Sequence, residues 1–150
     1  ILLPSHYTEQ TGELVIACDT SGSMHYVYPV VFGEIARLAE HAQPAAIRIL
    51  WWDTSVQGEQ TFKRGQYEGL RTALKPKGCG GTRPACVVEH LGSGSVQAQA
   101  VIWLTDGYLD GTQGQARALR LPQLWGVVDN ERFVPPTGRV MHIDTMRGFT

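Results

Sequence analysis

From Glu13 to Cys18 the chain reads Glu-Leu-Val-Ile-Ala-Cys and then stops at Asp19. A continuous apolar run of this kind, without polar alternation, fits a strand buried on both faces of a sheet. The pattern recurs along the chain. Ile47 to Trp52 is a second run, ended by Asp53, and Val56 to Phe62 follows a short turn, so these two form a hairpin or lie side by side. Ala98 to Thr105 runs into Asp106-Gly107, and Leu124 to Val128 and Val140 to Ile143 supply two more strands.

Helical patterns fill the intervals. The segment from about Tyr26 to His41 carries Val30, Val31, Ile35, Leu38 and Ala42 at helical spacing and ends before Pro44. Gln66 to Leu74 suits a short helix. A glycine-rich loop, Lys75 to Thr82, leads into Arg83-Pro84 and a helix to Leu91, closed by Gly92 to Gly94, because proline is tolerated in a first helical turn. This alternation predicts an α/β fold of Rossmann-like, doubly wound type, with a mainly parallel central sheet flanked by helices. Such sheets bind ligands beyond the carboxyl ends of their strands, near the topological switch point. Asp19 and Asp106 both end strands there.

With 150 residues, 43% of them hydrophobic, the chain can bury one core, and residues 1–150 are read as one domain. Thirteen basic against 14 acidic residues leave a formal charge of -1, so neither nucleic acid nor an anionic membrane is expected as a partner. No apolar stretch approaches the ~20 residues needed to span a bilayer. Cys18, Cys79 and Cys86 are odd in number and lack zinc-type spacing, and Cys18 lies in a strand-like run. A disulfide framework is therefore not expected, and a reducing, cytoplasmic setting is. The chain opens at Ile1, with a polar lead containing Pro4 and Gly12, and enters its first strand early. It is expected to be the C-terminal part of a longer protein.

Asp19-Thr20-Ser21-Gly22-Ser23 places a carboxylate and two hydroxyls at alternate positions of one turn. Hard cations such as Mg²⁺ take oxygen ligands of this kind, one or two of them carboxylates. The pattern alone is weak, since chance supplies it in roughly a few per cent of chains this long. Its position strengthens it, as do Thr82 after a glycine run and Asp106 after Val101 to Leu104. Plainer readings exist for each: a helix cap and polar turn for Asp19, Ser21 and Ser23, an N-cap for Thr82, a strand-ending turn for Asp106. Their joint placement at strand ends favours the site. Asp53 also ends a strand, which suits either a carboxylate behind the ligands or a turn former with Thr54 and Ser55, and it is left outside the ligand set. Cys79 is read as a small loop residue, His25 as a surface residue, and Trp51, Trp52, Trp103 and Trp125 as core.

The motif order resembles the metal-ion-dependent adhesion site of von Willebrand factor A domains, in which D-x-S-x-S, a distant threonine and a distant aspartate form one metal site. The resemblance implies that Ser21, Ser23 and Thr82 ligate directly, that Asp19 and Asp106 act directly or through water, and that a partner carboxylate completes the shell. Mg²⁺ is the implied ion, with Mn²⁺ or Ca²⁺ as alternatives. Trp52-Asp53-Thr54, Gly78 to Thr82, Leu104 to Gly107 and Leu124 to Val127 also resemble a bacterial and phage family of A-like domains. In that family the domain follows a metallopeptidase-like region and is associated with MoxR-type AAA+ ATPases. Arg83-Pro84 departs from its pattern, where an acidic residue commonly follows the threonine.

The function implied is a cation-dependent protein-interaction module that captures an Asp or Glu of a partner, with Arg83, Lys75 and Lys77 adding positive field. No activated nucleophile or general base is evident, so the domain is not expected to be an enzyme. The enzymatic alternative, a Mg²⁺-dependent phosphohydrolase, lacks a general acid because Ser21 stands where a second aspartate is needed. A metal-free scaffold of the same fold is the remaining reading.

Overall fold

A computed structural model describes residues 13–145. The polar lead with Pro4 and Gly12 lies outside them. A single domain is built around a six-stranded sheet of order β3-β2-β1-β4-β5-β6. The strands are β1 (Glu13–Asp19), β2 (Ala46–Trp52), β3 (Val56–Lys63), β4 (Ala98–Thr105), β5 (Gln123–Val128) and β6 (Arg139–Ile143). All neighbours pair in parallel except β2 and β3, which form an antiparallel hairpin with Ile47 opposite Phe62. The expected mainly parallel, doubly wound sheet is thus the observed one. β1 and β4 are neighbours at its centre, with connections leaving in opposite directions, so the switch point lies between the ends of these two strands.

Alternate residues of the central strands feed two cores. One face carries Leu14, Ile16, Cys18, Ile49, Trp51, Ile102 and Leu104 against α1 (Tyr28–Ala42), which contributes Val31, Ile35, Leu38 and Ala39. The other carries Val15, Ala17, Leu50, Trp52, Trp103, Trp125 and Val127 against α3 (Ala85–Gly92), through Cys86, Val87 and Leu91. Burial on both faces explains the unbroken apolar runs. The four tryptophans are fully buried, as expected. Cys18 and Cys86 are buried and Cys79 is exposed, and all three are free thiols. Among the described residues no helix is long and apolar enough to cross a membrane.

Three helices differ from expectation. The Tyr26 to His41 segment is a 3-10 helix over Gly22–Val27 followed by α1, with Pro29 in α1's first turn, where its missing N–H costs nothing. The Gln66 to Leu74 helix shrinks to α2 (Leu70–Ala73), because Gly69 before it is left-handed with φ 75°. A second 3-10 helix, Thr112–Ala118, was not legible: only Ala116 is buried, so it shows no apolar stripe.

Gly138, at the entry to β6, has φ 78°, and a Cβ there would lie 2.2 Å from the Gln123 carbonyl oxygen. Gly138→Ala is therefore expected to cost about 2 kcal/mol or more. That corresponds to a fall of about 6 °C in Tm for a domain of this size, measurable by thermal unfolding.

Candidate functional site

Asp19 is the last residue of β1 and is fully buried. Its Oδ1 accepts the Ser21 N–H at 2.8 Å, and its Oδ2 accepts the Thr105 hydroxyl at 2.7 Å. Thr105 Oγ1 in turn accepts the Gly107 N–H at 3.1 Å. One hydroxyl thereby couples the turn after β1 to the turn after β4. Ser21 precedes the first 3-10 helix but makes no side-chain cap bond; its Oγ lies 3.3 Å from Ser23 Oγ. Ser23 Oγ donates to Asp106 Oδ2. Asp106 is held from behind, since its Oδ1 accepts the Tyr108 N–H at 3.3 Å and its carbonyl accepts Asn130 Nδ2 at 3.0 Å.

The structure thus brings Asp19, Ser21, Ser23 and Asp106 into one contiguous set of oxygens at the switch point. Thr82 joins it at one remove. Its hydroxyl donates to the Tyr108 carbonyl at 3.0 Å, and its own carbonyl accepts the Asp110 N–H at 3.0 Å. It does not cap α3, which begins after Pro84 without a side-chain cap bond. The turn-forming reading of Asp19 and Asp106 holds alongside, because both carboxylates accept N–H groups two residues on.

Burial pushes the Asp19 carboxyl above its ordinary range; hydrogen bonds from Ser21 and Thr105 oppose this, and the nearby Asp106 charge adds to it. A buried carboxylate beside a second carboxylate lacks compensating positive charge, and a cation at this point would supply it. Among the described residues no three His, Cys, Asp or Glu side chains are grouped as metal donors. Two carboxylates with neighbouring hydroxyls are a hard-cation set rather than a zinc set. The residues present therefore fit Mg²⁺ or a similar ion.

Asp53, set aside as a turn former, organises the wall of the site. Its Oδ1 accepts the Ser55 N–H at 3.1 Å and Gln57 Nε2 at 3.0 Å, and its Oδ2 accepts the N–H groups of Cys79 at 3.3 Å and Gly80 at 3.0 Å. Its backbone carbonyl takes the Arg83 N–H at 2.9 Å. The glycine loop must approach this carboxylate closely: Gly78 has φ 114°, and a Cβ there would stand 2.5 Å from Thr20 Oγ1 and 3.0 Å from Asp53 Oδ2. Thr20 is itself pinned, its hydroxyl donating to the Trp52 carbonyl at 2.9 Å. The loop that carries Thr82 is thus hung on Asp53.

Burial raises the Asp53 pKa, but hydrogen bonds from Gln57, Ser55, Gly80 and Thr54 outweigh it and bring the value down to about 2. The unfolded chain takes up this proton near pH 4, whereas the folded domain resists until about pH 2. Discounted for solvent screening, Asp53 contributes about 1 kcal/mol at neutral pH, and this is lost as the pH falls from about 4 to about 2. Urea unfolding across that range is expected to show a steep acid limb that Asp53→Asn flattens.

A family model described as a VWA-like domain (DUF2201) matches residues 14–144, a span that includes the five candidate ligands Asp19, Ser21, Ser23, Thr82 and Asp106. The chain belongs to this family. No curated protein matches it. Among solved structures, the VWA-like domain is similar to the pilus adhesin SpaC of Lactobacillus rhamnosus GG in its open conformation, with TM-score 0.57 and 14% identity over 85% of this chain. The likeness shows the fold. The chain spans 25% of that adhesin's length.

The VWA-like domain also holds groups at the site that spacing does not reveal. Tyr28, in the first turn of α1, buries its hydroxyl without a hydrogen-bond partner among the described residues. Burial first, then the proximity of Cys18, Asp19 and Cys79, raises its pKa. The positive field expected from Arg83, Lys75 and Lys77 is in part engaged elsewhere. Arg83 is paired with Glu89 at 2.5 Å, and Lys75 and Lys77 run along the edge strand β3, where the Lys77 stem covers Gly58.

Proposed function

We propose that this VWA-like domain is a divalent-cation-dependent protein-interaction module whose cation captures an Asp or Glu side chain of a partner protein. The observation that carries the reading is the contiguous oxygen set of Asp19, Ser21, Ser23 and Asp106 at the sheet's switch point. Asp19 and Asp106 would supply charge, and Ser21, Ser23 and Thr82 neutral oxygens, so that the ion, when bound, offers unsatisfied positive charge to a carboxylate. The serine hydroxyls face each other, Ser23 donates to Asp106, and among the described residues neither hydroxyl is hydrogen-bonded to a His or Lys that would activate it as a nucleophile. The occurrence of the same fold in a pilus adhesin is in keeping with this reading. A MoxR-type ATPase is the partner that the resemblance implies.

Calorimetric titration of Mg²⁺, Mn²⁺ and Ca²⁺ into the metal-stripped domain tests it. One ion per domain is expected, with Thr82→Ala weakening affinity about tenfold, or 1.4 kcal/mol. Absence of binding by the wild type would overturn the reading in favour of a metal-free scaffold.

A further inference from the structure

We propose that the loops around the candidate site form an aromatic-rimmed docking surface for a partner segment in which an Asp or Glu stands next to an apolar side chain. The inference rests on the reading of the site as a carboxylate-capturing module and names the kind of segment it takes. Three large hydrophobic side chains are strongly exposed among the described residues: Tyr26 at 90%, Val134 at 80% and Tyr108 at 68%. Single exposed hydrophobics are ordinary, but these three share one end of the molecule. They lie on the connections that follow β1, β5 and β4: Tyr26 in the first 3-10 helix, whose Met24 reaches the core, and Tyr108 and Val134 in loops.

Each is tied to the site through the chain. Tyr26 comes three residues after Ser23 in the same 3-10 helix, and Tyr108 comes two after Asp106. Since Ser23 and Asp106 touch, the two tyrosines flank one point. Val134 follows Phe133, whose ring packs so closely over Gly107 that a Cβ there would meet it at 2.8 Å. The rim is also held in place. Tyr108 is fixed at its N–H by Asp106 and at its carbonyl by Thr82, leaving the ring exposed on a rigid backbone. Tyr26 lies in a 3-10 helix anchored by the buried Met24, where the rings of His25 and Tyr28 stack with centroids 5.0 Å apart.

Charge on this face is in part already engaged. Arg83 is neutralised by Glu89, and Lys75 and Lys77 lie along β3. Beyond the single carboxylate, discrimination falls to apolar contact, for which tyrosine offers a large area at low cost in side-chain entropy. A preformed rim loses little freedom on binding, which favours affinity.

The test uses the whole chain with saturating Mg²⁺ as bait for a displayed library of short random peptides. Enriched peptides are expected to pair an acidic residue with an aromatic or aliphatic neighbour. Tyr26→Ser and Tyr108→Ser are each expected to weaken them about tenfold while cation affinity and Tm stay unchanged. Acidic peptides that bind the tyrosine variants as well as wild type would overturn the rim and leave the cation reading intact. Peptides that bind equally in chelator and to Thr82→Ala would overturn the cation reading itself. A library that yields no binder, or self-association of the chain abolished by the tyrosine substitutions, would overturn the inference, the latter by assigning this face to a second copy.

Discussion

Trp103→Ala is expected to destabilise the domain by about 4 kcal/mol from lost packing alone, and more once its stranded hydrogen-bond partner is included. The indole stacks on Trp125 at 4.5 Å with an interplanar angle of 4° and takes Trp52 edge-on at 6.0 Å. Its Nε1 donates to the buried Gln123 Oε1 at 2.9 Å. Gln123 in turn donates to the Ala116 and Leu119 carbonyls, so one side chain joins β4 and β5 to the second 3-10 helix. Truncating Trp103 opens a cavity and leaves the Gln123 acceptor without a donor in a dry core, a loss of about 1–3 kcal/mol by itself. Such a change is a large fraction of the 5–15 kcal/mol that holds domains together. Chemical denaturation is expected to shift strongly, with the slope unchanged if the remaining fold survives. Trp103→Phe, which keeps the stack but not the N–H, separates the polar part of the loss from the packing part.

The strands were legible because burial on both faces leaves nothing polar inside them. The six runs read from the sequence match β1 to β6 to within a residue at either end. The helices were less so, and the reasons are local. Gly69 in a left-handed conformation cuts α2 short, and the Thr112–Ala118 helix buries only Ala116, so hydrophobic periodicity had nothing to register. At the site, Asp19, Ser21, Ser23 and Asp106 could be picked out because they sit where apolar runs stop. The role of Asp53 was legible only in part: its place at a strand end could be read, but its loop partners are the backbone N–H groups of Cys79 and Gly80, donors that every sequence has and none displays. The Arg83–Glu89 pair was hidden as well. The two residues are six apart and Arg83 precedes the helix, so the three- and four-residue spacing that signals helical ion pairs is absent.

Asp19→Asn is expected to act in opposite directions on the metal-free and metal-loaded domain. In the metal-free state the ionised side chain is buried beside Asp106, an arrangement that costs free energy. Asparagine retains a carbonyl oxygen for the Ser21 N–H and removes the charge, so the metal-free variant is expected to melt at or above the wild-type temperature. The proposed cation reverses the balance. At a hundredfold excess over Kd it would stabilise the wild type by about 2.7 kcal/mol, or about 5–11 °C in Tm. The variant, having lost half of the site's charge, is expected to show no such rise. Paired melting curves in chelator and in excess Mg²⁺ read both effects at once. A variant that melts well below wild type in chelator would mean that the Asp19 carboxylate is a structural turn element, since a purely structural role lowers Tm with or without the ion. A variant that still gains stability from Mg²⁺ would place the ion elsewhere. Only a cation site at the β1 and β4 ends joins a neutral or favourable effect without the ion to a lost response with it, and this pairing separates the proposed function from a scaffold that shares the fold.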